Sequence, residues 1–175
     1  GGTAEADAAI SVYSGNTLFG QTTASSGGTI SFTPSTALSD GIYSLTATVS
    51  DSAGNTSSAS SAITLVVDTA VPSAPAVSVS SPTNDNTPTI TGTAEVNSTV
   101  ALYAGGQVLG QATTGSDGSY TMTLSSLLAD STYSLTATAQ DLAGNVSAAS
   151  SGVTLLVDTA EPGSPTLTGT GPANT

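Results

Sequence analysis

The side chains that could do chemistry in this chain are almost all carboxylates: twelve Asp and Glu stand among 175 residues, with no Lys, Arg, His or Cys. Nucleophile activation normally draws on His, Lys or Cys, so composition excludes most catalytic arrangements. What remains is hydrolysis by paired acids, which needs two carboxyls about 5–10 Å apart beside a sugar-binding groove, or the binding of a hard cation by oxygen alone. Zinc and other metals that favour imidazole or thiolate find no ligands here. The formal charge of −12 repels phosphate backbones and anionic lipid, whose protein partners attract them through Lys and Arg. Nucleic acid and membrane surfaces are set aside as partners, and cations must come from outside the chain.

The acids recur at a fixed period. Thr3-Ala4-Glu5 matches Thr93-Ala94-Glu95, Gly20-Gln21 matches Gly110-Gln111, and Tyr43 to Thr48 match Tyr133 to Thr138, all at a spacing of 90 residues. The same shift carries Asp51, Ala53, Gly54 and Asn55 onto Asp141, Ala143, Gly144 and Asn145, and Val67-Asp68-Thr69-Ala70 onto Val157-Asp158-Thr159-Ala160. Pro162, Pro165, Pro172 and Asn174 then repeat Pro72, Pro75, Pro82 and Asn84. Residues 72–161 read as one complete module, 1–71 as a module lacking its first strands, and 162–175 as the start of a third. Repetition of this kind predicts a linear array in which each unit meets chiefly its neighbours. The first residue is not Met, so the chain reads as an excerpt. It has no run of roughly 18 apolar residues for a membrane helix and no secretory leader at its start. Recurrence of the acids at module ends favours a repeated structural role over catalysis, and there is no Trp to stack on sugar.

The elements that must position these acids are strands. Tyr133, Leu135, Ala137 and Ala139 alternate with Ser134, Thr136 and Thr138, and Val153, Leu155 and Val157 alternate in the same way, as half-buried strands do. Further short strands are expected at 76–80, 88–93, 99–104, 107–112 and 119–124, separated by turn signals such as Gly105-Gly106 and Asp117-Gly118. Seven strands in one repeat, without helical periodicity, predict an all-β fold of tandem immunoglobulin-like β-sandwich modules with a 90-residue repeat. Tyr43 and Tyr133 stand where the sixth strand begins, as a tyrosine corner would.

Successive loops of such a sandwich alternate between its two poles. One pole of the complete module then receives Asp68 from the incoming linker, Glu95, Asp117, and Asp141 with Asn145, while Asp85, Asp130 and the outgoing Asp158 go to the other. Glu5, Asp7 and Asp51 occupy the corresponding loops of the first module. Two carboxylates about 4 Å apart repel by about 4 kcal/mol at an effective dielectric near 20, and a divalent cation reverses that sign. Ca2+, which takes six to eight oxygens, is the cofactor this donor set predicts. The competing reading is that acids collect in loops because loops are solvated and that Asp-Gly is turn chemistry.

The joint order of Gly92-Thr93-Ala94-Glu95, Asp117-Gly118, Asp141-Leu142-Ala143-Gly144-Asn145 and Val157-Asp158-Thr159-Ala160-Glu161-Pro162 resembles the bacterial Ig-like repeats of giant secreted adhesins and biofilm-associated surface proteins. The resemblance covers essentially the whole chain. It implies a stalk of many similar domains on the bacterial cell surface, exported by a type I route and stiffened by calcium between neighbouring modules. The first module departs from the pattern at Ser26-Gly27, set against Asp117-Gly118, and so has one ligand fewer unless Asp7 compensates. The alternative is a self-assembling extracellular filament, in which other copies of the chain donate a strand to complete the first module.

Overall fold

The computed structural model describes residues 1–169 and 171; positions 170 and 172–175, with Pro172 and Asn174 of the third repeat, lie outside the described residues. The chain divides into two compact units, Gly1–Ala70 and Val71–Thr175.

The first unit contains β1 (Gly2–Thr3), β2 (Ala9–Ser14), β3 (Thr17–Thr23), β4 (Thr29–Ile30), β5 (Gly41–Ser50) and β6 (Ile63–Val67). β1 pairs with β4, and the remaining strands form a sheet in the order β3-β2-β5-β6. The second unit contains β7 (Ala76–Ser78), β8 (Thr89–Thr93), β9 (Thr99–Ala104), β10 (Gln107–Thr113), β11 (Ser119–Thr123), β12 (Ser131–Gln140) and β13 (Val153–Val157). Here a three-stranded sheet, β11-β8-β7, accompanies a four-stranded sheet, β10-β9-β12-β13. β2, β3, β5 and β6 begin and end 90 residues before β9, β10, β12 and β13, so the period read in the sequence is a period of structure.

Alternation decides which face is buried. Leu135, Ala137 and Ala139 of β12 are fully buried, with Leu155 and Val157 of β13, Val100 and Leu102 of β9 and Ile90 of β8. Tyr120 and Met122 of β11 close this core from the other sheet. In the first unit the buried cluster is only Ile10, Val12 and Ala24, with Phe19, Ile30, Phe32 and Ala47 partly buried against it. Leu45, the counterpart of Leu135, lines an apolar groove of about 360 Å³ together with Ile10, Ile30, Phe32 and Ile63.

Both tyrosine corners are formed: the Tyr133 hydroxyl donates to the Ala129 carbonyl at 2.9 Å, and the Tyr43 hydroxyl to the Ser39 carbonyl at 2.8 Å. Serine hydroxyls extend the sheet beyond β13. Ala137 and Ala139 amides donate to the Ser150 and Ser147 hydroxyls at 3.0 and 2.9 Å, and Ala47 and Val49 donate likewise to Ser60 and Ser57. After β7 the chain crosses to the other sheet, where Thr83 bridges Val157 in parallel. The Thr83 amide donates to the Leu156 carbonyl at 2.9 Å, and the Asp158 amide donates to the Thr83 carbonyl at 3.0 Å.

Candidate functional site

In the second unit, Glu95 lies in the turn from β8 to β9 and Asp117 in the turn from β10 to β11, and these turns are joined. The Ala94 amide donates to the Gly118 carbonyl at 2.9 Å. The buried hydroxyls of Ser98 and Thr114 both donate to the Glu95 carbonyl, at 2.7 and 2.6 Å, which fixes the backbone at Glu95. Asp141 follows Gln140, which stands opposite Thr99 in the β12–β9 pairing, so its loop emerges at the same pole. The three loops that carry these acids thus lie at one end of the second unit.

Within that end the Asp117 and Asp141 carboxylates are each engaged in their own loops. Asp141 accepts from the Gly144 and Asn145 amides through Oδ1, both at 2.8 Å, and from Asn145 Nδ2 through Oδ2 at 2.8 Å. The Asn145 side-chain bond, ahead of the backbone amides, holds the Asp141 carboxyl below its ordinary value. Asp117 accepts from the Ser119 amide at 3.0 Å and hydroxyl at 2.8 Å, and these bonds, the amide first, lower its pKa as well.

The first unit repeats the Asp141 loop closely. Asp51 accepts from the Ala53 and Asn55 amides at 2.9 and 2.8 Å and from Asn55 Nδ2 at 2.7 Å, and the Asn55 side chain is the main cause of its lowered pKa. The Glu5 carbonyl accepts from the Ala8 amide at 3.3 Å, with Ala8 and Ala24 standing where the second unit has Ser98 and Thr114. Asp7 adopts a left-handed backbone, φ 57°, as does its counterpart Asn97 at 59°. One alignment is corrected: the counterpart of Asp117-Gly118 is Gly27-Gly28, not Ser26-Gly27. Gly28 and Gly118 share φ values of 77° and 76°, and the Gly28 amide donates to Ser25 as Gly118 donates to Gly115. The missing carboxylate is therefore replaced by Gly27, and the turn is unchanged.

At the outgoing ends, Asp68 Oδ1 accepts from the Ala70 amide at 3.0 Å and Asp158 Oδ1 from the Ala160 amide at 3.1 Å. Beside them are Asp130, which the sequence places at the pole of Asp158 without a partner, and its counterpart Asp40, which sequence reasoning did not single out. Asp40 Oδ1 accepts from the Thr69 amide at 3.0 Å and hydroxyl at 2.9 Å, and Asp130 Oδ1 does the same with Thr159 at 3.1 and 2.8 Å. The signal available was the joint recurrence of Asp40 and Thr69 at Asp130 and Thr159.

The donor chemistry of these acids fits a hard cation, since all of them offer oxygen. Among the described residues of either unit, however, no three carboxylates form a group that could hold a metal ion. Any such ion would take ligands from loops that are already closed by their own hydrogen bonds, using the spare lone pairs that each carboxylate retains.

Antiparallel sheets of three and four strands, with tyrosine corners and a second module in the same register, define a tandem immunoglobulin-like β-sandwich. The chain belongs to the bacterial Ig-like domain family, whose pattern matches residues 1–69 and 76–159. Among solved structures, fibronectin(III)-like modules of Clostridium thermocellum CbhA resemble it with a TM-score of 0.53 at 20% identity, over 90% of this chain and 80% of that one. A biofilm-associated protein BSP domain gives a TM-score of 0.41 at 25% identity, with 90% of this chain and 26% of that one covered. A tetra-tandem repeat in the extending region of a large adhesion protein gives 0.39 at 23%, with 90% and 43% covered. The chain thus spans less than half of the length of each of these two. No curated protein matches it.

Proposed function

We propose that the chain is a run of extender modules from an extracellular bacterial adhesin or biofilm protein, structural rather than catalytic, in which Ca2+ at the module ends stiffens the stalk. The observation that carries this reading is a bacterial Ig-like module repeated in register, with Glu95, Asp117 and Asp141 in loops at one pole of the second unit and no basic residue to balance them. Ca2+ bound only to the folded state adds RT ln(1 + [L]/Kd) to stability and links acids that otherwise repel. Small-angle scattering and thermal melting of the full chain in Ca2+ and in chelator test it. Ca2+ is expected to raise the melting temperature and narrow the range of shapes, and Asp141→Ala to weaken both responses. Identical curves in Ca2+ and chelator would remove the metal and leave the stalk.

A second reading, a filament completed by strand donation between copies, is favoured by one observation, the apolar groove of the first unit beside Leu45 and Ile63. In the second unit the matching core is covered by Val77, Val79 and Ile90. Strand donation predicts particles that grow with concentration, whereas extender modules keep one mass at every concentration.

A further inference from the structure

We infer that Asp40 and Asp130 are positioning residues that fix the direction in which the chain leaves each module, without metal. Each takes the amide and the hydroxyl of one Thr, 29 residues further along the chain, onto a single carboxylate oxygen. Hydrogen bonds to a charged acceptor are the stronger kind, and two of them on one residue fix both its backbone and its side chain. The following turn is closed separately, because Asp68 and Asp158 accept the amides of Ala70 and Ala160. The linker is therefore held to the module it leaves through Ala70. Only Val71-Pro72-Ser73-Ala74-Pro75 remain before β7, and the two prolines lock φ at two of these five positions. A short, proline-stiffened linker anchored at its start passes a module's orientation forward, whereas one free from Val67 onward would not.

This inference stands apart from the calcium reading, because the tie uses no cation, and its test is made in chelator. The chain has no Cys, so spin labels attach only at Thr17→Cys and Thr121→Cys, one exposed position in each unit. The label-to-label distance distribution and the amide hydrogen exchange of Thr69 are then measured on the full chain. Asp40→Ala is expected to speed Thr69 exchange by about tenfold and to broaden the distribution. Asp40→Asn, which keeps a carbonyl acceptor, should restore much of both. Asp130→Ala should speed exchange at Thr159 and leave Thr69 and the label distances unchanged. Should Asp40→Ala fail to fold, Thr69→Val removes the hydroxyl bond alone and must still broaden the distribution. Unchanged exchange at Thr69, or faster exchange with an unchanged distribution, overturns the inference.

Discussion

Asp51, Asp117 and Asp141 each accept hydrogen bonds inside their own loops and have pKa values below the ordinary 3.8. The unfolded chain therefore binds more protons than the folded one in that region, so the stability these loops supply is present above about pH 4 and lost as pH falls through the folded values. Acid also relieves the self-repulsion of twelve negative charges, which works in the opposite direction. Asp141→Asn separates the two effects, because it keeps the side-chain shape and removes one titration. Urea unfolding between about pH 5 and pH 2 should show a smaller loss for this variant than for the wild type, from a lower starting point. Parallel losses would mean that the Asp141 loop contributes nothing to acid sensitivity. The Asp141–Asn145 pairing itself was not legible in the sequence. Asp-x-Ala-Gly-Asn reads equally as turn chemistry or as ligands, and only the placement of Oδ1 and Oδ2 shows both oxygens closing the loop.

At the scale of the element, alternation made the strands legible, and the tyrosine corner followed from Tyr133 standing two residues into β12. Contacts between distant positions were not legible. Nothing local to Asp130 points to Thr159, and the serines that extend β13 look like composition until Ser147 and Ser150 are seen accepting amides from β12. Glycine at the crossing of β7 and β8 is another such case. A Cβ on Gly92 would collide with the Ala76 carbonyl and lie 2.6 Å from the Tyr120 hydroxyl, which itself donates to Ala76 at 2.8 Å and ties β11 to β7 across β8. The counterpart Gly2 has room, its nearest neighbour Ile30 Cδ1 being 3.8 Å away. Gly92→Ala should therefore cost about 2–3 kcal/mol of stability, while Gly2→Ala stays within about 0.5 kcal/mol. Chemical denaturation of the two variants gives the comparison, and equal effects would show that β7 yields without cost.

At the scale of the whole molecule, two units with the same strand register differ in how much they bury. Among the described residues the second buries twelve in one cluster, Leu102, Leu135 and Leu155 among them, and the first buries three. Burial of a Leu side chain contributes about 1.5–3 kcal/mol, so Leu45 and Leu65, only partly buried where Leu135 and Leu155 are fully buried, contribute to the difference. Calorimetry of the chain should resolve two transitions, the first unit melting at the lower temperature. Leu135→Ala should lower only the upper transition, by the equivalent of about 2–5 kcal/mol. A single transition moved as a whole by Leu135→Ala would show instead that the units unfold as one.

The crossing of the chain at Thr83 decides how the second unit meets tension. In the extender role proposed above the chain would be pulled by its ends, and here the segment at Thr83 and strand β13 lie parallel, one leading to the incoming end and the other to the outgoing end. Force along the chain slides these segments past each other. The Thr83–Leu156 and Asp158–Thr83 bonds and the Leu156 amide on the Ser81 hydroxyl are loaded together rather than unzipped in turn. Thr83→Pro, which deletes one amide donor from the bridge, should lower the rupture force in single-molecule stretching by more than its effect on denaturant stability would suggest. A rupture force that falls only in step with stability would place the mechanical barrier elsewhere in the sandwich.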